Sequence, residues 1–194
     1  MNTQNVTAAK PKTGGAIYRA PIGSKLPTTY AEKLDTAFKN LGYVSEDGVT
    51  NGNSPSGDKV RAWGGATVMN YMEDKPDTFK LKLIEAFNPE VLKTIYNDKN
   101  VTVTTDTGDI SVTATAEDMT QYAWVIDMIL KGNRAKRIVI PIASITELEE
   151  IVYKDNEPVG YGITLSAEPD TSGAYHHEYI QGNAPAGNAP AGNA

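Results

Sequence analysis

Residues 122–142 read YAWVIDMILKGNRAKRIVIPI, and their period decides the fold. Tyr122, Trp124, Ile126, Met128 and Leu130 occupy alternate positions, as do Ile138, Ile140 and Ile142, which is the repeat of a strand with one apolar face. The Lys-Gly-Asn between the two runs is a tight turn, so the stretch is a hairpin.

The same period recurs on both sides of it. Phe79, Leu81 and Leu83 alternate with Lys80 and Lys82, and Val159, Tyr161, Ile163 and Leu165 alternate with Gly, Thr and Ser beyond the turn KDNEPV. In VTVTTDTGDISVTATA, Val101 and Val103 precede an Asp106–Asp109 turn, and Ile110, Val112 and Ala114 follow it, which predicts a hairpin with one apolar face. IYRAPIG, from Ile17, reads as a strand ended by Pro21 and Gly23.

Two segments carry helical signals. Thr29 and Glu32 have capping-box spacing; Leu34, Ala37, Phe38 and Leu41 recur at helical intervals; Asp35 and Lys39 can pair across one turn; and Gly42 sits at a left-handed cap position. NPEVLKTIYN predicts a second, short helix with Pro89 in its first turn. The fold class expected from these patterns is mainly β with a flanking α-helix.

A chain of 194 residues with 40% hydrophobic content supports one domain with a real core. That domain is expected over residues 17–168, with a polar amino-terminal arm at 1–16 and an extended tail at 169–194 that ends in GNAPA repeats too small to build a core. The polar opening MNTQNVTAAKPKTGG has no apolar signal core, and charges interrupt the apolar runs, so neither secretion by that route nor a membrane span is expected. The absence of cysteine excludes disulfides and thiolate metal sites. A net charge of -6 argues against wrapping nucleic acid, though not against DNA sliding past an acidic wall.

One stretch resists the strand pattern. Between Val44 and Val60 the only apolar side chains are Val49 and Pro55, so a long polar loop is expected over residues 45–58, either disordered or present to touch something.

The search for chemistry is nearly empty. His176 and His177 are adjacent and would point to opposite faces of a strand, so they cannot share a metal. Asp47, Asn51, Asn53 and Asp58 have the oxygen-rich composition of a calcium loop without its spacing. Glu147, Glu149 and Glu150 cluster at a strand end without a partnered cleft. Lys131, Arg134, Lys136 and Arg137 follow the Lys-Gly-Asn turn and form a candidate basic interface, and Trp63 and Trp124 are candidate core anchors. No catalytic residue, cofactor or metal is expected, and the protein is read as not an enzyme.

The run GAIYRAPIGSKLPTTYAEKLDTAFKNLGYVSEDGVTNGNSPSGDKVRAWGG, from Gly15, resembles the amino-terminal half of major tail tube proteins of long-tailed, non-contractile bacteriophages. The resemblance carries no chemical signature and does not extend into the GNAPA tail. It implies a β-sandwich or half-barrel of the phage tail tube type flanked by a helix, six copies closing into a ring, rings stacking into a tube in the virion tail, and DNA passing through the lumen without specific binding. The partners it implies are further copies of the chain, a tape-measure protein, a tail terminator and baseplate or initiator proteins, with synthesis in the host cytoplasm. It also implies that the loop reaches the adjacent ring, with Ser45, Glu46, Asp47, Asn51, Asn53, Ser56 and Asp58 as contact residues. An inner tube of a contractile injection device and a carbohydrate-binding β-sandwich of a virion surface remain alternative readings.

Overall fold

A computed structural model describes Met1 and residues 3–182; residues 183–194, which hold most of the GNAPA repeat, lie outside the described residues. A 3-10 turn at Thr3–Asn5 precedes strands β1 (Ala9–Pro11), β2 (Ile17–Pro21), β3 (Lys39–Asn40) and β4 (Val44–Gly52). A hairpin of β5 (Ser56–Arg61) and β6 (Thr67–Asp74) comes next, then β7 (Thr78–Leu83) and helix α1 (Pro89–Tyr96). A 3-10 turn at Asp98–Asn100 leads into a small hairpin, β8 (Val101–Val103) with β9 (Ile110–Val112). The chain finishes with β10 (Tyr122–Leu130), β11 (Arg134–Leu148), β12 (Tyr161–Glu168) and β13 (His177–Ile180).

Nine strands form one antiparallel sheet along the path β3-β2-β10-β11-β12-β7-β4, with β1 added to β10 and β13 added to β11. The predicted hairpin at its centre is present, with Ile126 opposite Ile138. Its turn holds Gly132 at φ 76° and Asn133 at φ 59°, the left-handed region that these two residue types enter at least cost. The fold is mainly β with one short helix, as the alternation requires.

The sheet is buried on both faces. Ile17, Trp124, Ile126, Ile140, Ile163 and Leu165 belong to the larger core, which Val91, Leu92 and Ile95 of α1 cover. Ala20, Ala123, Val125 and Val139 on the opposite face form a second cluster with Phe38. The helix starts as its sequence dictates: Asn88 caps it by accepting from the Glu90 amide at 3.0 Å, and Pro89 follows.

The helix expected over the Thr29–Gly42 segment does not form. Its start signal is real, since the Glu32 amide donates to Thr29 Oγ1 at 3.1 Å and Glu32 Oε2 accepts from the Thr28 amide at 2.8 Å. The segment nevertheless runs irregularly and ends as strand β3. Tertiary demand explains the outcome: Leu34, Ala37 and Phe38 pack on one face of the sheet while Leu41 enters the core on the other. A continuous helix places all four on a single stripe and cannot serve both faces. Gly42 does adopt a positive φ of 74°, though no helix precedes it, and a Cβ there would also fall inside the Glu85 carboxylate.

The polar loop expected over residues 45–58 is also different from its reading. Most of it is strand, β4 pairing with β7 and β5 with β6. Backbone pairing supplies the order that side-chain burial does not, and Val49, the one branched apolar residue, packs against the core opposite Leu81. The segment after residue 168 likewise contributes β13 to the sheet, and the amino-terminal arm contributes β1.

Candidate assembly surface

Strands β5 and β6 pair with each other and stand apart from the nine-stranded sheet, forming a two-stranded arm. At its tip the Ala62 amide donates to the Ala66 carbonyl at 2.8 Å and Gly65 donates back to Ala62 at 2.9 Å. Gly64 and Gly65 close the turn at φ 101° and 90°. Trp63, expected as a core anchor, is fully exposed on this tip; Trp124, the other, is fully buried. Val60, Val68, Met69 and Met72 along the arm are exposed as well. Val60 and Met69 share one face of the hairpin and Val68 and Met72 the other, so the arm exposes large apolar side chains on both sides.

The root of the arm is anchored by a buried carboxylate. Asp77, 2% exposed, accepts from Asn51 Nδ2 at 2.7 Å and pairs with His176 Nδ1, while its backbone carbonyl accepts from the Ala167 amide at 2.9 Å. The His176 ring also meets the Phe79 ring edge-on at 5.4 Å. One side chain therefore joins the end of β4, the start of β7 and the approach to β13. His177 turns the other way, its Nε2 lying 3.0 Å from Asp170 Oδ2. Asp170 is held well below the usual carboxylate range, first by the Ser172 hydroxyl, then by His177 and by the Ala174 amide.

The seven residues expected on the contact loop are divided by this geometry. Ser45, Glu46, Asp47 and Asn51 lie on β4, Ser56 and Asp58 on β5, and Asn53 between the two strands. Glu46, Asp47, Asn53, Ser56 and Asp58 are exposed, whereas the Asn51 amide is committed to Asp77.

The four basic residues do not form one patch. Lys131 is exposed, Arg134 is half-buried with its Nε directed at the Lys131 carbonyl, and Lys136 pairs with Glu178 at 2.7 Å. Arg137 is withdrawn from the surface altogether at 2% exposure. It binds Asp127 through two bonds and donates to the carbonyls of Thr29 and Glu32 at 3.1 and 2.6 Å. Arg137 lies on the face of Val139, where the Thr29–Glu32 segment covers it, and Lys136 lies on the other face.

Sequence reasoning missed two features. Arg19 is buried beneath α1, donating to Asp98 at 2.7 Å and Glu90 at 3.4 Å over the ring of Tyr122, 4.2 Å from its centroid. The contacts span 71 and 79 residues of sequence, so no local pattern announces them. The other is an apolar groove of about 670 Å³ between the 84–88 loop and Pro158–Val159, on which Phe87 is 92% exposed.

A family model described as phage tail tube protein matches residues 1–190. The chain belongs to this family. The match extends well past the Gly15–Gly65 run that carried the resemblance and takes in the whole sheet. Among curated proteins none matches it. As a tail tube protein, the chain is a structural component of the virion tail.

Proposed function

We propose that the tube subunit closes into hexameric rings that stack around a lumen through which DNA passes into the host, in the tail of a phage with a long, non-contractile tail. The observation that carries this reading is the β5–β6 arm, an exposed apolar hairpin with no sheet of its own to join. A two-stranded hairpin is marginal in water by itself and gains order when a neighbouring copy covers it.

The open sheet supports the same reading. Among the described residues, strand β4 ends the nine-stranded sheet and pairs on one side only. Ring closure by identical subunits removes such edges, which would otherwise template uncontrolled pairing. Net charge of -6 suits a conduit for DNA, since acidic walls repel phosphate and let the duplex slide. The tape-measure protein, the terminator and the baseplate or initiator complex are the partners that would start, measure and end such a tube.

Electron microscopy of the concentrated purified protein, with sedimentation across a concentration series, tests the proposal. Rings or hollow tubes are expected. A chain that stays monomeric at every concentration, even with an initiator complex present, overturns it.

A further inference from the structure

We infer that Trp63 of one subunit inserts into the groove between the 84–88 loop and Pro158–Val159 of a second copy. This rests on the tube-subunit reading and names the contact by which copies join. The indole is the largest apolar group on the arm, it is fully exposed, and the two glycines after it leave its approach open on that side. The groove is built to take such a group. Its walls are Ile84, Ala86, Phe87, Pro158 and Val159, an apolar surface against which an indole can lie.

Charge selects the same pairing. Lys59 and Arg61 stand exposed on the arm just before Trp63. Asp155 and Glu157 stand exposed in the turn that leads into Pro158, Glu157 with Lys154 at 3.2 Å, while the Glu85 carboxylate is taken up by the Tyr43 amide and Asn88. An aromatic knob preceded by two cations thus meets an apolar slot with Asp155 beside it, and knob and slot are different surfaces of the same chain, so the contact runs head to tail. The groove bounded by Asn97, Asp98, Lys99, Glu117, Asp118 and Thr120 is polar and offers an indole nothing to bury against.

The unmodified protein supplies the first test. Trp124 is fully buried, so in the dispersed subunit acrylamide reaches Trp63 and not Trp124. On assembly, followed in parallel by light scattering and microscopy, the emission maximum should move to the blue and the quenchable fraction should fall several-fold. The chain has no cysteine, so introduced pairs report cleanly. Ala62→Cys mixed with Pro158→Cys should give a disulfide-linked dimer under oxidation, and Ala62→Cys mixed with Thr107→Cys should not. Trp63→Ala should leave the melting temperature of the dispersed subunit unchanged and raise the concentration needed for assembly at least tenfold. Tubes whose indole stays quenchable, or in which the 62–158 pair fails to link, overturn the Trp63 contact and leave the tube reading intact. Absence of any assembly brings down both.

Discussion

Arg137 and Asp127 stand directly opposite each other on β11 and β10, joined by two bonds of 2.6 and 2.8 Å, with 3% and 4% of their side chains exposed. Lys12 adds a third contact to the same carboxylate at 3.2 Å. Removing Arg137 leaves the buried Asp127 carboxylate with Lys12 alone, so Arg137→Ala is expected to destabilise the fold by about 3 kcal/mol, the low end for a broken buried pair. Lys131→Ala, on the exposed turn, should stay within about 0.5 kcal/mol of the parent. Urea denaturation of the two variants makes the comparison.

Asn51 and Asn53 are two residues apart and differ in their duties. Asn51→Ala withdraws a donor from buried Asp77 and should cost about 1–3 kcal/mol, while Asn53→Ala should be neutral. Equal effects would show that the arm root is not organised around Asp77.

Phe38 is 8% exposed in the smaller core cluster. Phe38→Ala should cost about 3–5 kcal/mol, by lost burial and the cavity left behind. Fluorescence of Trp124 and far-ultraviolet circular dichroism should then report a cooperative but earlier thermal transition.

Asp170 titrates below the ordinary aspartate value of 3.8 because its charged form accepts from Ser172, His177 and Ala174. A carboxylate depressed by folding contributes stability that is complete above its unfolded value and is lost as pH falls through the folded one. The melting-temperature gap between the parent and Asp170→Asn should therefore be widest above pH 5 and narrow below about pH 4. A gap that widens on acidification would contradict this sign.

Truncation after Gly182 keeps β13 and both bonds between Gln181 and Ala135. The shortened chain should melt with the parent and assemble with it, because the GNAPA residues offer no large apolar side chain to bury. Failure to assemble with an unchanged melt would assign the tail to a neighbouring subunit.

Strand period was legible wherever one residue in two had to be apolar, as from Tyr122 to Leu130, and so was the Asn88–Pro89 start of α1. The Thr29–Gly42 segment misled because local capping and spacing were satisfied while its apolar residues were divided between two faces of the sheet. The stretch after Val44 misled because pairing through backbone leaves no mark in side-chain hydropathy. Arg137 was legible as a charge but not as a buried one, since its partner sits ten residues away across a turn and its acceptors Thr29 and Glu32 over a hundred. Trp63 was misassigned because composition does not separate an aromatic side chain that faces solvent from one that faces a core.

Strand β11 gives its first half to β13 and its second half to β12, while β10 takes β1 and β2 from the opposite end of the chain. On the ribosome, the centre of the sheet therefore cannot be completed until residue 180 has emerged and the first twenty residues have waited for it. Such non-local pairing folds slowly and leaves strand edges bare in the nascent chain. A chain cut before β13 should therefore leave the first half of β11 with a bare edge.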